Sequence, residues 1–207
     1  MRVLLVAAEA MEFEGVLRRA SGVEPVAVAA GWARTCRIGG HDAMLVANGA
    51  GRRRAAAAAA AGIVAWRPEM VVSTGFCGAL DERLEIADVV VEGIRTVDHV
   101  VRTAEEKRKL RESGAVAVEM EAAGVAERAG ESGLPFRCVR AVTDLAGETL
   151  ANDFQAALRE DGHFATITIL TGALRHPGTR VPELLRLRSR CKRAARALGD
   201  FFAVSGF

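Results

Sequence analysis

Two short apolar runs that each end on a carboxylate constrain this chain more than any other feature. The first, Ala115 to Val118, leads into Glu119-Met120-Glu121-Ala122-Ala123; the second, Cys138 to Val142, leads into Thr143-Asp144-Leu145. Between them Gly124 to Gly133 has the length and amphipathic spacing of one helix. That order predicts a β-α-β unit and hence an α/β fold with a covered sheet. Side chains leaving the carboxyl ends of neighbouring parallel strands converge on one crevice, where ligands bind. Glu121 and Asp144 are both expected there, one to grip a substrate and one to move a proton.

The rest of the chain alternates in the same way. Val3 to Ala7 reads as a strand and Met11 to Ala20 as a helix. Val26 to Ala30, Thr35 to Ile38 and Asp42 to Ala47 read as meandering strands. Asn48-Gly49-Ala50-Gly51 turns into an alanine-rich helix, Arg52 to Ala65, which Pro68 ends because the residue before proline is driven out of the α region. Met70 to Thr74 is expected as a buried strand, Gly75 to Leu80 as a tight loop, Ile86 to Val91 as a strand and Ala104 to Ser113 as a charged helix. From Asn152 the pattern is helical, broken at Arg175-His176-Pro177-Gly178. With 207 residues and no internal repeat or linker, one α/β domain is expected.

Composition narrows the function classes. No apolar run approaches the roughly 20 residues of a membrane span. The apolar start, Met1 to Val6, meets Glu9, Glu12 and Glu14 at once and reads as a buried strand, so a cytoplasmic protein is expected. The four cysteines (Cys36, Cys77, Cys138, Cys191) have neither CxxC spacing nor a matching histidine cluster, so reduced thiols and no metal are expected. A net charge of +2 gives no basis for a nucleic-acid surface. The basic stretch Arg186 to Arg196 reads as the solvated face of a helix whose apolar face carries Leu184, Leu185, Leu187, Ala194, Ala195 and Leu198.

Three glycine loops follow apolar runs: Asn48 to Gly51, Gly75-Phe76-Cys77-Gly78, and Gly93. Glycine lets backbone approach a ligand, and a glycine loop feeding a helix is an anion site. GxxxxGK[ST] is absent, and the third glycine of GxGxxG is replaced by Arg54, so neither a P-loop nor a dinucleotide fingerprint is present. A structural turn explains each loop equally well.

Taken together and in order, these segments resemble the nucleoside phosphorylase and nucleosidase superfamily, in particular the methylthioadenosine/adenosylhomocysteine nucleosidases. Val3 to Ala8 with the acids ending at Glu14 is similar to the family's first strand and catalytic acidic turn. Asn48 to Gly51, the alanine-rich helix and Pro68-Glu69-Met70-Val71-Val72-Ser73-Thr74-Gly75 resemble its GxG-helix-PxxVxxTG run. Phe76 to Leu80 with Leu84 to Val90 resembles its GxAGGL…GDVV signature, and VEMEA with RAVTDLA completes the match. The resemblance runs from residue 1 to about residue 147. It implies a single-domain three-layer α/β/α sandwich with a mixed central sheet.

It also implies roles. Glu121 would accept the ribose hydroxyls, and Met120 would pack beneath the sugar. Asp144 would protonate the leaving purine, with Thr143 beside it along the base. Phe76, Cys77 and Gly78 would line the substrate. Glu14 would activate the attacking water; Glu12 is the alternative, and the spacing to Leu17 favours Glu14. Glu119 is counted with the substrate-binding residues, although on a strand it alternates with Glu121 and is open to capping or to pairing with Arg140. The chemistry is consistent, because breaking an N-glycosidic bond builds positive charge on ribose and negative charge on the base.

The chain departs from the family between Val91 and Thr96, where a long excursion is missing. Thr96 to Val101 stands where an aromatic residue normally stacks on the base, so Val100 or Val101 would substitute and leave a more open pocket. This compact form is similar to the hopanoid-associated phosphorylase subgroup, which implies a purine (adenine-type) nucleoside with a bulky apolar 5′ group. Related phosphorylases carry an arginine and a serine where this chain has Ser73 and Phe76. Water is therefore the expected nucleophile, with no cofactor. Phosphate as co-substrate, bound by Gly49, Gly51 and Arg52 to Arg54, is the alternative. A binding module without turnover is a third reading. A homodimer or higher homo-oligomer is implied by the resemblance alone.

Overall fold

A computed structural model describes residues 1–204 of the chain. Its centre is a nine-stranded mixed sheet. β1 (Arg2–Ala7), buried from Val3 onward, pairs in parallel with β4 (His41–Ala47) on one edge and β5 (Met70–Ala79) on the other. β3 (Trp32–Ile38) runs antiparallel to β4, and the fully exposed β2 (Ser21–Pro25) closes that edge. β9 (Phe136–Asp144) lies parallel to β5 from Val71/Phe136 to Gly78/Asp144. The strands between β1 and β9 are apolar on both faces because helices cover both.

The first covering layer is α2 (Arg52–Trp66) with α4 (Ala122–Glu131). Ala55, Ala58, Ala59 and Gly62 recur at helical spacing on the inner face of α2 and pack on Leu4, Val6, Met44 and Val71. On the other face α1 (Glu14–Arg19) and α7 (Pro177–Val204) bury Val16, Ala194, Leu198 and Phe202 against Val3, Leu5 and Val72. The basic stretch of α7 is solvated as expected, but Leu185 is 64% exposed and does not belong to the buried face. Among the described residues no helix is long and apolar enough to cross a membrane.

Several local expectations are corrected. The residues after the first strand divide into a 3-10 turn, Ala10–Phe13, and the six-residue α1. Val26 to Ala30 is irregular, the strand lying before it, although Val26 and Val28 still pack on the core. Gly75 to Ala79 is strand rather than loop, because its backbone is paired with β9 and with β8 (Ala117–Glu119). The strand expected at Ile86 to Val91 contracts to β6 (Val89–Val90), antiparallel to β9, and is followed by β7 (Ile94–Thr96). The largest correction concerns β8, which is antiparallel to β5 and hence to β9. β9 occupies one edge of β5 and β1 leaves the other free beyond Ser73, so β8 enters there and meets Gly78 and Ala79. A helix-length connection permits either direction, and free hydrogen-bonding edge decides between them.

The helices that remain are α3 (Ala104–Arg111), capped by the Thr103 hydroxyl accepting from the Glu106 N–H, then α5 (Phe154–Ala157) and α6 (Thr166–Leu174).

Candidate active site

A cavity of about 360 Å³ opens where the carboxyl ends of β5 and β9 meet the turn after β1 and the segment after β8. Glu12, Glu119, Glu121 and Asp144 all line it, with Phe76, Cys77, Gly78, Met120 and Thr143. The antiparallel course of β8 still delivers Glu121 to this point, because Val118 pairs with Gly78 and the chain continues back along β5.

Glu14 is not among them. It begins α1 and is exposed, one turn before Arg18, while Glu12 is 6% exposed. The Glu12 carboxylate accepts the Phe76 N–H through Oε1 and the Glu9 N–H through Oε2, both at 2.8 Å. Burial pushes its carboxyl up to about 7, against the two backbone donors and Arg140, with the neighbouring Glu121 charge adding to the rise. A carboxylate poised near neutrality suits proton abstraction. The strand makes room for it at Gly75, whose φ is +134° and where a Cβ would lie 2.4 Å from Glu12 Oε1. Gly75→Ala is therefore expected to displace the carboxylate, which would appear as loss of any pH transition near 7 in ¹³C-carboxyl titration of Glu12.

Glu119 and Glu121 share Arg140 but have different jobs. Glu119 is fully engaged: it pairs with Arg140, accepts from the Thr96 hydroxyl, and caps α4 by accepting the Glu121 and Ala122 N–H groups at 2.8 and 2.7 Å. Burial raises its carboxyl, but Arg140 and these donors outweigh that and hold it below the usual range. Glu119 lines the cavity as expected of a substrate contact, but three of its four hydrogen bonds fall on Oε2 and serve pairing and capping, with Oε1 taking the Thr96 hydroxyl. Glu121 accepts the Gly51 N–H at 2.8 Å and lies 3.7 Å from Arg140. Burial holds its carboxyl above the ordinary value, opposed by Arg140 and reinforced by Glu119.

Asp144 ends β9 with its carboxylate over Gly78, where a Cβ would stand 2.9 Å from Oδ2. Oδ1 accepts the Thr143 hydroxyl at 3.1 Å. Oδ2 accepts from Lys107 of α3, whose ammonium also donates to the Leu145 carbonyl at 2.7 Å. Lys107 is fully buried, whereas in the sequence it is one charge of a charged helix and gives no sign of a site. The available signal is spacing: Ala104, Lys107 and Leu110 lie three apart on one side of α3, and the other positions are charged.

The arginines after Gly51 do not reach this cavity. Arg52 pairs with Glu127 at 3.1 Å, Arg54 donates to the Glu160 carbonyl at 2.9 Å, and Arg52 and Arg53 border a separate open depression on α2. The inward face of α2 is alanine and glycine, so its arginines radiate outward, and the N–H of Gly51 is spent on Glu121. None of Gly49, Gly51, Arg52 and Arg54, expected as a possible anion site, lines the cavity. The far end of the cavity is apolar, formed by Met11, Val100, Leu150, Phe154, Phe164 and Ile169. Cys77 and Cys191 face it as thiols that burial pushes up, Cys191 to about 12.

The family model described as Phosphorylase superfamily matches residues 2–92 and 96–172, and the chain belongs to that family. A curated relative, the 5′-methylthioadenosine/S-adenosylhomocysteine nucleosidase of Staphylococcus aureus, is 25% identical over 148 residues, covering 46% of this chain and 65% of that protein. The match thus spans just under two thirds of that relative's length. Among solved structures, the S. pneumoniae 5′-methylthioadenosine/S-adenosylhomocysteine nucleosidase with a transition-state inhibitor superposes with TM-score 0.72 at 18% identity, over 99% of this chain and 100% of that one. Futalosine hydrolase of Helicobacter pylori gives 0.72 at 15% identity, over 97% and 95%.

Proposed function

We propose that the protein hydrolyses the N-glycosidic bond of a purine nucleoside bearing an apolar 5′ substituent. The observation that carries this reading is the shared cavity holding Glu12 poised near 7, Glu121 buried beside it and Asp144 on the neighbouring strand. Glu12 takes the proton of the attacking water. Glu121, with one oxygen on the Gly51 N–H, accepts from the ribose hydroxyls and stabilises the positive charge that develops on the sugar. Asp144 faces the leaving base and passes it a proton. The apolar end of the cavity receives the 5′ group.

Water is favoured over phosphate because none of the cavity-lining residues is Arg or Lys, whereas a doubly charged oxyanion needs charge-assisted donors. The test is release of free base, followed by chromatography, from adenosines and inosines with 5′ groups of increasing apolar size, with and without phosphate. Equal release in both buffers, rising with apolar 5′ size, is the expected result. Strict dependence on phosphate would replace water as the nucleophile. No release from any nucleoside would leave a binding module. Asp144→Asn is expected to lower purine release by about 10²- to 10⁴-fold with the fold intact by circular dichroism.

A further inference from the structure

A buried lysine that touches the cavity only through another side chain calls for an explanation. Lys107 is 0% exposed, lies outside the cavity lining, and spends two of its three N–H groups on Asp144 Oδ2, at 2.5 Å, and the Leu145 carbonyl, at 2.7 Å. Desolvating an ammonium costs several kcal/mol, and an apolar side chain in its place would anchor α3 without that penalty. The pairing also bears on chemistry. Asp144 Oδ2 accepts from the ammonium, and Oδ1 lies 3.1 Å from the Thr143 hydroxyl, which also has the Cys77 carbonyl at 3.3 Å as an acceptor, so the ammonium is the cation held on this carboxylate.

We propose that Lys107 is the proton reservoir for the leaving base, acting through Asp144 as a positioning residue. This rests on the nucleosidase reading. As the bond between the sugar carbon and the base nitrogen breaks, its electron pair passes to the base. The base takes a proton relayed across Asp144 from the Lys107 ammonium, which becomes the neutral amine. Water adds to the sugar carbon and leaves its proton on Glu12. Exchange with solvent reloads Lys107 and unloads Glu12, so the balance is nucleoside plus water giving base plus sugar.

The groups around the pair leave this role to Lys107. On the strands, Cys77 is a thiol kept protonated by burial; on α7, Cys191 is likewise, and Arg190 is locked onto Glu148 at 2.7 and 2.8 Å. Glu148 also accepts the Leu145 N–H at 2.9 Å, and Glu12 and His99 stand elsewhere on the cavity wall. On its own helix, Glu106 is turned to His99.

The experiment compares wild type with Lys107→Met on two substrates: a 5′-substituted adenosine and a 4-nitrophenyl riboside with the same 5′ group, whose leaving group needs no proton. In Lys107→Met the adenosine rate should fall about 100-fold or more, while nitrophenol release falls no more than about threefold. Equal losses on both substrates would overturn the reservoir and leave a structural strut. Should that variant not fold, Lys107→Arg decides, because a guanidinium keeps the charge beside Asp144 but does not give up its proton: adenosine release lost with nitrophenol release kept is the expected result, and both rates kept overturns the proposal. Wild type that releases nitrophenol or purine shows the nucleosidase reading standing on its own, whereas release of neither removes that reading and the reservoir with it.

Discussion

Glu12→Gln is expected to lower base release by about 10³-fold, and Glu14→Gln to leave it within about twofold, when both are assayed at pH 8 on the same 5′-substituted adenosine. The contrast follows from two residues of spacing. Glu12 is buried with both carboxylate oxygens on backbone donors in the cavity wall; Glu14 is exposed on α1. Because Glu12 must be ionised to accept a proton, the wild-type rate should climb through about pH 7, the value to which burial carries its carboxyl.

The same residue links activity to stability with a definite sign. Its folded value of about 7 lies above the 4.5 of an unperturbed glutamic acid, so the native state holds the proton more tightly than the unfolded chain. That contribution is complete below pH 4.5 and is lost as pH rises to about 7. Above that pH the ionised carboxylate weighs against folding by about 3 kcal/mol. The neutral amide of Glu12→Gln would leave one backbone N–H facing its NH₂ group without an acceptor, at a cost of about 1–3 kcal/mol, while escaping the somewhat greater cost of a buried charge. Urea denaturation at pH 8 should therefore show an inactive Glu12→Gln that is more stable than wild type. A variant both active and less stable would refute the assignment.

Removing the cation beneath these acids should have the opposite effect on the fold. Arg140 is fully buried, pairs with Glu119, lies 3.7 Å from Glu121 and donates to the Ser73 hydroxyl at 2.9 Å. Arg140→Met leaves two buried carboxylates uncompensated, a loss of about 3–5 kcal/mol at neutral pH. Glu119 is held below its ordinary value in the native state, so its stabilising contribution exists above 4.5 and drains away as pH falls through its depressed folded value. The gap between wild type and Arg140→Met should accordingly narrow in acid. Equal unfolding midpoints for the two proteins at pH 7 would show that Arg140 is not the counter-charge.

Much of this was legible in the sequence. The apolar runs at Val3, Met70 and Cys138 located three neighbouring strands of the sheet, since a strand buried on both faces has to be continuously apolar. The alanine and glycine positions of α2 at helical spacing located the layer above them. Asp144 was legible because it follows such a run and emerges at the carboxyl end of β9; Glu121 follows a shorter apolar run, but the antiparallel course of β8 along β5 is what brings it to the same place. The ordered motifs pointed to the superfamily that the family model matches.

The tertiary structure decided what depends on which partner arrives. The direction of β8 rests on the edge of β5 that β1 leaves open, a fact no local pattern contains. The choice of Glu12 over Glu14 rests on a 3-10 turn braced by the Glu9 and Phe76 N–H groups, the second coming from 64 residues away. Glu119 is held by Arg140 and the start of α4, and the arginines of α2 point away from the cavity because its small residues turn inward. Lys107 shows the limit most plainly. In sequence it is one charge among many on a short helix; only the packing of α3 over the end of β9 takes it out of water and sets it on Asp144. Periodicity tells which residues are buried together, but the electrostatics of a site are fixed by distances between segments far apart in the chain.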